Sequence, residues 1–338
     1  MNLSMTRPVK NLLSLLLLAF SLVDPTAAQE PLTPPPANEN GVLKVEVSFL
    51  LVDVMGILDA EQEIKADLFF RLHWTDPRLA SEGSESRFLS LDSIWAPNFQ
   101  STTNRGAREM LPRVAMVDAS GGATYTQRLT GRFGASTYLA NFPFDRHQIS
   151  FPFFFATSEG VVEYAVEQGP VVEISNLLST PDWNISGASM STEPLRVSET
   201  LPPVPSATLT IQASRITTHY IWNTILPLIV IVMMSWTVFW APPAQIAVQF
   251  GFSATSILTV IAYRFALANQ VPPLSYSTRL DVFLNGAFIL AFLALLEVIL
   301  TARLIYRERV AAAERVDLHA RWVFPLLLVA VAARAFVL

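Results

Sequence analysis

The fold is decided by residues 220–240, which read YIWNTILPLIVIVMMSWTVFW and contain no charged side chain. An apolar run of about twenty residues is long enough to cross the ~30 Å hydrocarbon core of a bilayer as a helix. Pro227 would break such a helix in water, but a packed membrane bundle tolerates a proline. Residues 220–240 are therefore predicted to form a first transmembrane helix.

Three more apolar segments follow, at residues 245–268, 279–304 and 322–338. In the second of these, the continuous apolar stretch starts at Phe283. The connection at residues 305–320 contains several arginines, a feature of cytoplasmic loops in membrane proteins. Residues 219–338 are thus predicted to form a four-helix transmembrane bundle, with membrane lipids around it and residues 305–320 in the cytoplasm.

The preceding part of the chain, residues 29–218, has an acidic and strand-like character. It carries 13 Lys and Arg against 22 Asp and Glu, a balance that argues against nucleic acid as a partner. From Leu43 to Leu51 apolar residues alternate with others, the period of a half-buried strand. Similar runs occur at residues 68–74, 124–133, 148–155, 161–166 and 207–216. Short strands at this spacing predict an immunoglobulin-like β-sandwich.

The N-terminus has the pattern of a secretory signal. Arg7 and Lys10 precede the apolar run at residues 12–20, and small residues stand before Gln29. We interpret residues 1–28 as a signal peptide, because the run is shorter than a membrane-spanning helix requires. With a signal and four crossings, the sandwich is expected to lie on the periplasmic side of an inner membrane.

Residues 245–268 differ from an ordinary membrane helix by their small and hydroxylated residues. One helical face collects Gly251, Thr255, Leu258, Ala262, Phe265 and Asn269, at spacings of three and four. Hydroxyls also occur at Ser253, Ser256 and Thr259. Several copies of such a face around a symmetry axis would line a water-filled pore, with apolar rings at Leu258 and Phe265. The alternative is a packing face made of small residues.

The sequence has little that suggests enzymatic chemistry. There is no cysteine, and the four histidines are scattered. No zinc-protease, nucleophile-elbow or phosphate-loop motif occurs. We therefore expect no catalytic activity, no cofactor and no metal centre.

Several short motifs are more specific. Residues 74–79 read WTDPRL, residues 95–97 WAP, residues 142–145 FPFD and residues 235–240 SWTVFW. Together, in this order, they resemble the Cys-loop receptor superfamily of pentameric ligand-gated ion channels. The helix sequence resembles the amine-gated bacterial branch, whereas two sensor strands are similar to those of glycine and GABA receptors. The missing loop cysteines, which would fall at Ala135 and Ile149, follow the bacterial pattern.

This resemblance implies a homopentamer that conducts inorganic ions, with the agonist between neighbouring sensor domains. It also implies that Asp145, Arg215, Pro272 and Pro273 couple the sensor to the pore. Asp145 and Arg215 would form an ion pair, joined by Asp59 or Glu61 from the first hairpin. The alternative for this pair is a purely structural salt bridge.

The ligand site is predicted from the same resemblance. Its candidate residues are Phe69, Arg71, Tyr125, Thr126, Phe154 and Phe155. An arginine beside a hydroxyl suits a carboxylate. The opposite face departs from the family, since Ala156 replaces an expected aromatic residue and residues 192–205 contain none. We hypothesise a small carboxylate agonist held by Arg71 and Thr126; the alternative is that Arg71 makes intersubunit salt bridges and protons act as the agonist.

The cytoplasmic end of the second helix, residues 241–249, carries no charge. The gap of 18 residues from Trp240 to Leu258 resembles that of anion-selective relatives, but Gln249 stands where those relatives carry an arginine. We therefore expect a weak preference for anions. A rival hypothesis for the whole chain is a membrane-anchored periplasmic sensor that does not conduct.

Overall fold

The computed structural model describes residues 35–36, 42–156, 163–200, 202–242, 245–267 and 274–337. The predicted signal peptide at residues 1–28 lies outside the described residues. The same is true of Asn269, Pro272 and Pro273, which were predicted to act in the pore and in coupling.

Within the described residues, the first part of the chain forms two β-sheets. The strands are β1 (Val42–Leu58), β2 (Glu63–Thr75), β3 (Arg87–Ser90), β4 (Phe99–Ser101), β5 (Arg108–Glu109), β6 (Val114–Val117), β7 (Gly122–Gly134), β8 (Arg146–Phe155), β9 (Glu163–Ile174), β10 (Trp183–Ser191) and β11 (Ser206–Arg215). One sheet has the order β3-β6-β7-β2-β1-β9, with β5 paired to β7. The other has the order β10-β11-β8-β4.

The two sheets pack face to face because strands such as β7, β8 and β11 bury every second residue. In β1, Val45, Val47 and Phe49 are fully buried in this core, whereas Lys44 and Glu46 are exposed. Aromatic rings fill the space between the sheets, with the Phe99 and Phe153 rings stacked at 5.0 Å. This arrangement confirms the predicted β-sandwich.

Four helices follow the sandwich: α1 (Thr218–Trp240), α2 (Ile246–Leu267), α3 (Arg279–Tyr306) and α4 (Val310–Phe336). Each is long and apolar enough to cross a membrane, which confirms a four-helix transmembrane bundle. Helix α3 packs against both α2 and α4, and its start is fixed by a capping box between Thr278 and Asp281.

The fourth helix is longer than predicted. It begins at Val310 rather than at residue 322, so the loop predicted at residues 305–320 shrinks to Arg307–Arg309. Residues 310–321 contain four alanines, which favour helix, and four charged residues, which lower the hydropathy. Hydropathy therefore detects only the apolar part of α4, while the helix itself extends further.

Candidate functional site

The outer face of the first sheet brings the predicted arginine and hydroxyl together. Strands β2 and β7 pair in antiparallel register, with Arg71 opposite Thr126 and Phe69 opposite Arg128. All four side chains are partly exposed on the same face, because residues of one parity point the same way along a strand. Arg71 and Thr126 therefore lie side by side on a surface open to a neighbouring molecule.

The two arginines of this face differ in their partners. The Arg128 guanidinium donates to Asp67 through Nε at 2.9 Å, and its carbon lies 5.6 Å from the Phe69 ring centre. The hydrogen bond from Arg128 holds the pKa of Asp67 below its ordinary value. In the described part of the chain, no carboxylate lies within ion-pair distance of Arg71. The charge of Arg128 is thus neutralised, and that of Arg71 is not.

Two of the predicted ligand residues lie in the interior instead. Tyr125 is only 6% exposed and its hydroxyl accepts a hydrogen bond from Gln127 at 3.0 Å. Phe155 is fully buried and stacks on Tyr164 at 4.8 Å. This placement corrects the assignment of both to the ligand-binding surface. In each strand the neighbouring residue, Thr126 or Phe154, takes the outer position, because successive side chains point to opposite faces.

Tyr125 instead lines a cavity of about 620 Å³ that reaches the surface. Its walls include Trp95, Phe99, Tyr164, Glu109 and Arg113. Burial raises the pKa of the Tyr164 hydroxyl to about 12, so this group stays neutral. The cavity and the Arg71 face lie on opposite sides of the first sheet.

An ion-pair network lies where the sandwich meets the helices. The Arg215 guanidinium donates to both carboxylate oxygens of Asp145, through Nε at 2.8 Å and Nη2 at 2.9 Å. Nη2 also donates to Asp59 at 2.8 Å. Of the two hairpin residues considered, Asp59 is therefore the third partner, and Glu61 is exposed.

Asp145 and Arg215 are both buried, and aromatic rings surround the arginine. Its guanidinium carbon lies 4.2 Å from the Trp183 ring centre and 4.9 Å from that of Phe142. Burial alone would raise the pKa of Asp145, but hydrogen bonds from His147 and Arg215 lower it to about 2. Asp145 is therefore ionised throughout the physiological range.

The loop that contains Asp145 also contacts the start of α3. The Leu139 N–H donates to the Tyr276 hydroxyl at 3.0 Å, and Arg279 Nε donates to Asn141 at 3.0 Å. The Leu280 N–H donates to the Phe142 carbonyl at 3.2 Å. Sequence reasoning did not assign Tyr276 or Arg279 to the junction, although both closely follow the segment assigned to coupling. These bonds connect the sensor directly to the segment between α2 and α3.

The predicted stripe on α2 faces away from the rest of the chain. Leu258 is 66% exposed and Phe265 is 74% exposed, and Gly251, Thr255 and Ala262 are also exposed. The opposite face is buried at Gln249, Ser253, Ser256, Val260 and Leu267. The hydroxyls are therefore divided between the faces, and Ser253 and Ser256 contribute to helix packing rather than to the stripe.

Two family models match the chain. The neurotransmitter-gated ion-channel ligand binding domain matches residues 26–213, and the transmembrane region of the same channels matches residues 224–311. The chain belongs to the neurotransmitter-gated ion-channel family. This is a family of ligand-gated channels, not of enzymes, and the chain is a multi-pass membrane protein with a β-sandwich domain.

The chain is similar to several animal receptors. It is 27% identical over 277 residues to gamma-aminobutyric acid receptor subunit alpha-6 of Gallus gallus, covering 78% of this chain and 58% of that protein. It is 24% identical over 282 residues to gamma-aminobutyric acid receptor subunit beta of Caenorhabditis elegans, covering 78% of this chain and 49% of that protein. It is also 24% identical over 279 residues to gamma-aminobutyric acid receptor subunit alpha-2 of Homo sapiens, covering 78% of this chain and 60% of that protein. The chain thus spans about half to three-fifths of these relatives.

Proposed function

We propose that the chain is one subunit of a homopentameric ligand-gated ion channel, whose central pore is lined by the exposed stripe of α2. The exposure of this stripe is the observation that carries the proposal. Leu258 and Phe265 are large apolar side chains that one copy of the chain leaves uncovered. Around a symmetry axis they form rings that close a pore by excluding water, while the Thr255 hydroxyl makes the pore polar towards one end.

Lipid surrounds the other helices. Apolar side chains such as Val230, Phe292 and Leu326 are exposed on α1, α3 and α4, as expected of surfaces that contact hydrocarbon. A cytoplasmic α3–α4 turn is supported by its arginines, Arg307 and Arg309. The sensor then lies outside an inner membrane of bacterial type, on the periplasmic side.

The agonist in this proposal is a small carboxylate bound between subunits. Arg71 presents a planar set of donors that matches a carboxylate, and no acidic side chain in the described residues competes for it. Thr126, directly opposite in the sheet, adds a hydroxyl. Phe154, half-buried on the outer face of β8, covers the ligand from the neighbouring subunit.

The channel discriminates ions weakly, with a preference for anions. Gln249 is buried, and its amide donates to the carbonyls of Val238 and Ala241 at 3.2 and 3.3 Å. The side chain at the position of the relatives' arginine thus points away from the pore. Without a charged ring there, helix-end dipoles set the field at the mouth.

The deciding experiment is electrophysiology on purified protein in planar bilayers under a KCl gradient. The pH is stepped first, and a panel of small carboxylates and amines follows. A gated current establishes the channel, and its reversal potential gives the selectivity. Continued silence from pentamers verified by mass contradicts the proposal and favours the non-conducting periplasmic sensor.

The agonist site is tested by Arg71→Ala, with Lys65→Ala as the matched control. Lys65 is an exposed cation on the same strand and face as Arg71, six residues away. Losing a charge-assisted pair costs about 1.5–3 kcal/mol, so the half-maximal carboxylate concentration rises about tenfold or more. The control leaves it unchanged. An unaltered response of the Arg71 variant refutes the carboxylate site, and gating by pH alone then identifies protons as the agonist.

A further inference from the structure

Two acidic side chains meet between α3 and α4, away from the ligand face and the coupling network. The carboxyl of Glu297 lies against that of Asp317. Asp317 is only 2% exposed, and all four carboxylate oxygens are buried. Among the described residues, none of the four oxygens has a hydrogen-bond donor. Such acidic groups inside a membrane bundle are costly to keep charged and mark functional sites.

The surroundings provide one cation, Arg321, for two negative charges. Arg321, one turn further along α4, donates from Nε to the Phe239 carbonyl at 2.9 Å, and its guanidinium carbon lies 5.7 Å from the Trp240 ring centre. Glu314 is the other charged group near Asp317, and it adds a negative charge. Helix α1 contributes no Asp, Glu, Lys or Arg, and its His219 is exposed at its first turn. In the described range of α2 the only charged residue is Arg264, which donates to Asn285.

We propose that Glu297 and Asp317 form a binding site for one shared proton. Two carboxylate oxygens are both acceptors, so they can bond to each other only with a proton between them. Like charges at this separation cannot both persist in a buried site, and the pair therefore titrates as one unit. A metal ion fits less well, because Ca²⁺ requires six to eight oxygens and the described residues contain no third acidic, histidine or cysteine ligand here.

The proton is linked to the pore helix through Gln249. This side chain lies next to Asp317 and uses its amide hydrogens on the carbonyls of Val238 and Ala241. When the pair loses its proton, Asp317 requires a donor, and the Gln249 amide is the nearest neutral one. Donation to Asp317 withdraws the amide from a carbonyl and shifts the first turn of α2. This link, unlike the proton site itself, rests on the proposed channel function.

The proton is detected by infrared spectroscopy of the full-length protein in liposomes at neutral pH. We expect the carbonyl band of a protonated carboxylic acid in the wild type. The band disappears in Glu297→Gln and in Asp317→Asn, because an amide then donates to the remaining carboxylate. Glu314→Gln, an exposed acid on the same helix, leaves the band intact. Size-exclusion chromatography verifies that each variant assembles.

The absence of the band from the wild type, or its persistence in both variants, overturns the proposal. A bound cation would leave both carboxylates ionised, remove the band and make thermal stability depend on sodium concentration, which also refutes the shared proton.

The link between the shared proton and the pore helix is tested by recording the channel current while the pH is raised. We expect a pH-dependent step that is lost in Glu297→Gln, retained in Glu314→Gln, and lost in Gln249→Met although the infrared band remains. A step that persists in Gln249→Met refutes the link. If no variant conducts, the infrared result still decides the proton site, so failure of the channel proposal and of the proton site are distinguished.

Discussion

Replacing Asp145 by asparagine removes one charge from the buried network of Arg215 while keeping the size of the side chain. In the folded sensor the pKa of Asp145 falls from 3.8 to about 2. At about 1.4 kcal/mol for each pH unit, the ionised carboxylate stabilises the folded state by about 2.5 kcal/mol at neutral pH. Asp59 still pairs with Arg215 in the variant, so the arginine is not left without a counter-charge.

For a domain of this size, about 2.5 kcal/mol corresponds to a melting temperature lower by about 5–10 °C. The assay is thermal unfolding of the full-length protein in detergent, followed by tryptophan fluorescence. Trp183 is a suitable reporter, because the Arg215 guanidinium lies 4.2 Å from its ring centre.

The matched control is Glu167→Gln, which removes an acid from an exposed pair with Lys44 at 3.0 Å. Exposed pairs contribute little, so we expect a shift of at most about 2 °C. Equal shifts in melting temperature for Asp145→Asn and Glu167→Gln would refute the reasoning, because a buried ion pair would then stabilise the fold no more than an exposed one.

The pH dependence has a definite sign. Because the folded-state pKa of Asp145 is depressed, its stabilisation is complete above about pH 4 and is lost as the pH falls towards 2. The melting temperature of the wild type should therefore approach that of the Asp145→Asn variant as the pH falls towards 2. A constant difference between them down to pH 2 would contradict this origin.

Two predictions concern gating. Leu258→Thr makes the apolar ring easier to hydrate by about 1 kcal/mol or more. The half-maximal agonist concentration should therefore fall at least about fivefold in dose–response recordings. A rise in this concentration would exclude a water-excluding gate at Leu258. Tyr276→Phe removes the hydroxyl that accepts from the Leu139 N–H, at a cost of about 1 kcal/mol. The half-maximal concentration should then rise about fivefold with unchanged single-channel conductance, whereas an unchanged concentration would remove Tyr276 from the coupling path.

The ion-pair network of Arg215 shows what the sequence motifs predict and what they leave open. Asp145 and Arg215 were predicted as partners from two motifs that lie 70 residues apart in the chain. The choice of Asp59 over Glu61 depends on how the β1–β2 hairpin turns, and the contact of Tyr276 with Leu139 depends on how the bundle docks on the sandwich. Both contacts join segments that are far apart in the chain, so the periodicity and composition of the sequence do not predict them.

The strand face with Arg71 and Thr126 shows a second limit of prediction from sequence. The resemblance assigned Tyr125 and Phe155 to the ligand site together with their neighbours Thr126 and Phe154. In a strand, a shift of one residue moves a side chain to the opposite face. The facing direction of β7 and β8 is set by how the two sheets pack, which explains why half of these residues lie in the interior.

By itself, the sequence determined the order of the domains, the strand-rich sensor, the four membrane helices and the exposed stripe of α2. These properties follow from hydropathy and period, which are local and accumulate over many residues. Only the tertiary structure decided which strand face is open, which acid completes the Arg215 network, where α4 begins, and that Glu297 meets Asp317. Each of these depends on contacts between segments far apart in the chain, where the energy lies in packing and in shared burial of charge.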